Sequence, residues 1–194
     1  IGVKRGAKEG PKIMLAAHMD EIGVIVTFID DKGFLRFSNL GGVSPFMVLG
    51  ERVVFANGTI GTFGIEKPDE LREAKVSNVK LSKMFIDIGA KDRGEAEKLV
   101  RIGDVASFHR EMVDLGTRLV SKAMDDRVGC AVLVEALKRV AGEDLDNEIY
   151  FVFTVQEEVG IRGARTAAYS LAPDIGIAVD VTLTGDTPEA PTMA

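Results

Sequence analysis

The groups able to do chemistry in this 194-residue chain are few and unevenly placed. They are His18-Met19-Asp20, Asp125-Asp126-Arg127, Gln156-Glu157-Glu158, and Asp180 within Ala178-Val179-Asp180-Val181-Thr182. Imidazole and carboxylate together are the ligand set of hydrolytic zinc, cobalt or manganese sites. Four or more carboxylates brought to one place repel one another strongly unless cations neutralise them. With one carboxylate bridging, such a set suits two metal ions about 3.5–4 Å apart that activate water and polarise a carbonyl. Adjacent glutamates allow a division of labour, one binding a metal while the other takes the proton of the attacking water. Each motif alone has a plain structural explanation: a surface ion pair, a helix N-cap, a strand end facing water, a turn residue. The chemical reading depends on their convergence.

Convergence requires elements that end at one edge. Ile149 to Val155 is a continuous β-branched and aromatic run, as expected of a strand buried on both faces, and it closes at Gln156-Glu157-Glu158. Open α/β sheets place ligands at the carboxyl ends of such strands. Residues 12–17 predict a second buried strand ending at His18, and residues 174–179 a third ending at Asp180. If the first of these stays extended, His18 and Asp20 share a face, and a carboxylate beside an imidazole is the usual outer support of a metal-binding histidine. Leu119 to Met124 leads into the aspartate pair, and a helix comes next. Val128, Ala131, Val132, Leu133, Ala136, Leu137 and Val140 give that helix one broad apolar face, with Cys130 in the core. An aspartate before a helix is normally an N-cap, which accounts for one of the pair but not both. A short helix is expected over 164–171.

Between His18 and the aspartate pair the character changes. Residues 24–29 and 34–37 read as a hairpin, as do 51–56 and 59–65 around Asn57-Gly58, a pair that favours a turn with positive φ at both residues. Residues 66–82 read as a long loop. A strand over 84–88, a helix over 92–100 with Asp92 and Glu95 in a capping box, and a strand over 104–108 complete a small β-barrel or sandwich. His109, the other histidine, comes directly after the last of these and is read as lying apart from the acidic motifs. The predicted class is therefore α/β, with a discontinuous domain of residues 1–21 and 114–194 and a β domain of residues 22–113 inserted in it.

Bulk properties narrow the function. The chain has 24 basic and 30 acidic residues, a net charge of −6, which argues against nucleic-acid or anionic-membrane binding. Its single cysteine excludes an intrachain disulfide and fits a reducing compartment such as the cytoplasm. No apolar run reaches the ~18 residues of a membrane span. Walker, G-x-S-x-G and H-E-x-x-H patterns do not occur.

Ala17 to Gly23, Lys122 to Gly129, Gln156 to Ala164 and Val179 to Thr182, with Phe85 to Ala90 as a spacer, together resemble the tetrahedral (TET) aminopeptidases, dinuclear metallopeptidases related to glutamyl and deblocking aminopeptidases. The resemblance implies a three-layer αβα zinc-peptidase-like domain with an inserted β-barrel that mediates dimerisation, within a hollow twelve-subunit particle acting on peptides. It implies that His18 binds one metal with Asp20 orienting it, that Asp125 bridges two divalent ions (zinc or cobalt), that Glu157 is the general base, and that Glu158 and Asp180 bind one metal each. Asp126 and Arg127 would support the site. The family takes a fifth ligand, a histidine, from beyond the stretch matched here, so the chain reads as a fragment with doubtful activity of its own and with apolar surface left uncovered. The competing readings are a dinuclear deacylase or glycan hydrolase on the same scaffold, and a non-catalytic assembly module.

Overall fold

The computed structural model describes residues 1–71 and 79–190. In chain order the strands and helices are β1 (Gly2–Lys4), β2 (Lys12–His18), β3 (Gly23–Ile29), β4 (Leu35–Leu40), α1 (Pro45–Val48), β5 (Arg52–Phe55), β6 (Ile60–Ile65), β7 (Met84–Asp87), α2 (Arg93–Leu99) and β8 (Val105–Phe108). Then come β9 (Val113–Asp114), β10 (Leu119–Val120), α3 (Met124–Val140), β11 (Glu148–Thr154), α4 (Arg162–Leu171) and β12 (Ile175–Ala178). Two compact units result, residues 1–20 with 123–194, and residues 21–122. The second unit takes in the ribbon β9–β10 beyond the residues 22–113 expected for the insert. No helix among the described residues is long and apolar enough to cross a membrane.

The first unit is a mixed sheet in the order β1-β11-β2-β12. β2, β11 and β12 are parallel, and β1 pairs antiparallel with β11. From β2 the chain returns through α3 to β11 on one side, then through α4 to β12 on the other. Right-handed crossovers in opposite directions set the two helices on opposite faces of the sheet. Side-chain alternation does the rest: Ala17 and Phe151 meet Leu133, with Leu15, Ile149, Phe153, Leu137 and Val140 packed around them. Met14 and Val152 are buried apart from that cluster, on the other face.

The apolar face of α3 is not one stripe. Leu133, Ala136, Leu137 and Val140 pack on the sheet, whereas Val128 and Val132 are exposed. Ile175 and Ile177 of the edge strand β12 are also exposed.

The second unit contains a closed antiparallel barrel, β3-β4-β7-β6-β5-β8, filled by Val24, Leu35, Val53, Phe63, Met84, Ile86 and Phe108. Asp92 caps α2 by accepting Glu95 N–H at 2.9 Å, and Glu95 reaches back to Lys91 N–H. The Asn57-Gly58 hairpin forms, but only Gly58 has positive φ (87°); Thr59 O accepts Phe55 N–H, so the turn carries an extra residue. Of the expected loop over 66–82, Pro68–Leu71 and Leu81–Lys83 are single 3-10 turns, and 72–78 fall outside the described residues.

Leu133 is 1% exposed at the centre of the α3–sheet contact. Leu133→Ala is expected to lower unfolding free energy by about 2–5 kcal/mol, read as a lower urea midpoint. A loss below about 1 kcal/mol would show that this contact does not hold the unit together.

Candidate metal centre at the carboxyl edge of the sheet

The parallel register puts the ends of three strands level: Thr154 pairs with His18, and Ala178 with Ala16. The segments leaving these three strands, with the start of α3, therefore share one edge. His18 is buried at 3% exposure and is the hub. Its Nε2 lies 2.8 Å from Asp125 Oδ1 and 3.9 Å from Glu157 Oε2. Its Nδ1 lies 3.1 Å from the backbone oxygen of Asp20 and 3.5 Å from the Asp20 carboxylate. β2 stops at His18, so the pairing of positions 18 and 20 comes from the turn after the strand, not from strand alternation.

Asp20 has a second task that its sequence position did not suggest. Its two carboxylate oxygens accept the N–H groups of Glu157 and Glu158, at 3.1 and 3.2 Å. This fixes the backbone from which both glutamates project. Gln156, just before them, has φ 61°, and Ala123, before the aspartate pair, has φ 56°. Left-handed conformations in non-glycine residues are uncommon and concentrate at functional sites. Here each sets the chain turning as it enters the site.

Asp125 and Asp126 are joined by a cis peptide and divide sharply. Asp125 has a side chain 59% exposed, while Asp126 is fully buried and accepts N–H from His18 and Gly129, both at 3.2 Å. Asp125 and Asp126 have non-helical dihedral angles within α3, so the regular helix starts after them and the bond from Gly129, three residues on, lets Asp126 cap it. Gly129 is obligatory, since a Cβ there would lie 2.3 Å from Asp126 Oδ1. Cys130, read as core, also donates its thiol to His18 O at 3.2 Å, and Arg127 Nε donates to Met19 O at 3.1 Å.

Among the described residues, two groups bring ligand atoms within 4.8 Å of one another: His18 with Asp125 and Glu158, and His18 with Asp126 and Asp180. The first joins three of the four residues expected as ligands. Asp180 reaches the same histidine, but beside Asp126. His109 lies at the end of β8 in the barrel unit and belongs to neither group. The donor set, one imidazole with carboxylates, fits a divalent cation.

Electrostatics agree with that fit. Burial works against a charged His18 ring, but the hydrogen bond to Asp125, the Asp20 carbonyl and the charges of both aspartates outweigh it and raise its pKa. Burial, then the charge of Asp125, pushes Glu158 up. Burial also pushes Asp126 up, against the N–H groups it accepts, with the charge of Asp180 adding to the rise.

All 194 residues match the model of the M42 glutamyl aminopeptidase family, and the chain belongs to that family. A curated relative from Acetivibrio thermocellus is 60% identical over 193 residues, covering 100% of this chain and 56% of its own length. An aminopeptidase from the archaeon Desulfurococcus kamchatkensis superposes with TM-score 0.89 at 44% identity, over 98% of this chain and 53% of that one. The Pyrococcus horikoshii TET1 peptidase, which can assemble into a tetrahedron or a large octahedral shell, gives TM-score 0.80 at 36% identity over 93% and 58%. The chain thus spans about half the length of the curated relatives it matches. Its homologues are aminopeptidases, and the M42 family is metal-dependent.

Three raised pKa values set the sign of a pH effect in metal-free protein. A group raised on folding stabilises below its ordinary pKa, and that contribution is lost as pH rises through its folded value. For His18 the loss begins above about pH 6.5, and for Asp126 and Glu158 above about pH 4. Glu148, which is lowered, titrates below this window, while Cys130 and Tyr150, which are raised, titrate above it. In the presence of chelator, the thermal midpoint should therefore fall from about pH 5.5 to about pH 8. A midpoint that rises over that interval would contradict the crowding of these groups.

Proposed function

We propose that this chain carries the metal-binding and catalytic core of an aminopeptidase that removes amino-terminal residues from short peptides. The observation that carries the reading is the grouping of His18, Asp125 and Glu158 at the sheet edge, in a family of metal-dependent aminopeptidases. His18, Asp125, Glu158 and Asp180 would hold two divalent ions, zinc or cobalt, with Asp125 shared between them. Bound there, the ions would polarise the scissile carbonyl and lower the pKa of water.

The remaining work belongs to this chain's own side chains. Glu157, 30% exposed and 3.9 Å from His18, stands beside the ligand group without belonging to it, the position required of a general base. Asp20 keeps it there through the hydrogen bond to Glu157 N–H and keeps the His18 ring turned toward Asp125. Self-association through the inserted barrel, up to a dodecamer, is proposed from the family and from the assembly of the TET1 relative. Exposed Phe46, Met47 and Leu49 in that unit support it. The lone cysteine supports a reducing compartment such as the cytoplasm.

The test is calorimetric titration of zinc or cobalt, with peptide hydrolysis then measured in a protein of the relatives' full length. Asp125→Ala should abolish metal binding. Glu157→Gln should keep the metal but lower turnover by about 10²–10⁴-fold. Free-amine peptides should be cleaved and N-acetylated ones should not. Metal binding unaffected by Asp125→Ala, or equal cleavage of acetylated peptides, would overturn the reading.

A further inference from the structure

His18 is the last residue of β2, and its backbone is held unusually. Toward β11 the ladder continues to the end of the strand, with Thr154 paired to His18 and Met19 N–H bonded to Thr154 O at 2.8 Å. Toward β12 the last pair is Ala178 with Ala16, and Val179 N–H donates to Ala16 O at 2.8 Å. Residues 16 and 18 turn their peptide groups to the same neighbour, as alternate residues of a strand do. At His18, however, no strand partner remains on that side. A buried N–H and C=O without partners would each be costly. The first turn of α3 supplies both: Asp126 Oδ2 accepts the His18 N–H, and the Cys130 thiol donates to the His18 oxygen.

We propose that Asp126 is a positioning residue and not a metal ligand, its carboxylate replacing the missing strand partner of His18 and locking that residue's backbone to the helix that carries Asp125. The inference rests on reading His18 and Asp125 as ligands. It also separates the two possible ligand groups. Asp126 is fully buried, with one oxygen accepting His18 N–H and the other Gly129 N–H, so both are already engaged by the backbone. Asp125 is exposed and meets the imidazole nitrogen itself. The absence of a side chain at 129 is what admits the carboxylate, because a Cβ would fall within 2.3–2.8 Å of all three carboxyl atoms. One residue of β2 is thereby held at its N–H, its C=O and its ring by positions 126, 130 and 125 of one helix start.

Two measurements on the 194-residue chain test this. In chelator, amide exchange of His18 N–H should be slow in wild type, slow in Asp125→Ala and fast in Asp126→Ala, which removes both acceptor oxygens. Gly129→Ala, which displaces the carboxylate without removing it, should reproduce the fast exchange, with circular dichroism confirming the fold. Cobalt titration should then give Asp126→Asn the wild-type stoichiometry with affinity weaker by about 10–100-fold. Its visible cobalt absorption should be shifted, a change that a loss of fold stability alone does not produce. A drop in stoichiometry matching that of Asp125→Ala would make Asp126 a ligand and overturn the proposal. So would His18 N–H protection that survives in folded Asp126→Ala. If wild type binds no cobalt, the titration passes to a protein of the relatives' full length, where a second absence of binding sinks the metal-site reading, while the exchange result still decides whether Asp126 holds His18.

Discussion

The first unit is shaped by the crowding of carboxylates around one buried imidazole. Asp20, Asp125, Asp126, Glu157 and Glu158 all lie at the strand ends that surround His18. Such a cluster is unfavourable unless each charge has a partner. The structure meets this in two ways. Asp20 and Asp126 spend their oxygens on backbone N–H groups, becoming parts of the framework. Asp125, Glu157 and Glu158 keep theirs turned to the imidazole or to open space. The first pair ties down the backbone of the site, while Asp125 and Glu158 stay beside the imidazole.

That division explains why the motifs need their neighbours. Asp126 works only with a glycine three residues on, and Gly129 is therefore a site residue despite having no side chain. Asp20 works only if Glu157 and Glu158 present consecutive N–H groups, which the left-handed Gln156 arranges. The sheet supplies the common level, since parallel register aligns Thr154 with His18 and brings β12 to its end two residues before Asp180. The barrel interrupts the chain between Asp20 and Ala123, leaving the site residues on both sides of it in one unit.

Much of this was legible in the sequence because it depends on local pattern. Continuous apolar runs marked β2 and β11, alternation and turn residues marked the barrel strands, and Asp92 with Glu95 marked the cap of α2. Four ordered motifs were sufficient to place the chain in its family. What was not legible depended on partners distant in sequence. β1 has three residues and no periodicity of its own, and exists as a strand because β11 offers an edge. Val128 and Val132 fit the helical repeat of α3, yet neither packs in the cluster that α3 forms with the sheet. The Asn57-Gly58 pair announced a turn but not its type, because strand register chose where the extra residue went.

The site shows the same boundary most clearly. Residue types and spacing determined by themselves that a histidine and several carboxylates would meet at the carboxyl edge of a parallel sheet, since strand length and direction come from short-range patterning. Which of Asp125 and Asp126 is exposed and which is buried was decided by tertiary structure. Asp125 and Asp126 are chemically identical neighbours, and it is the N–H groups of His18, 108 positions away from Asp126, and of Gly129 that hold one of them buried.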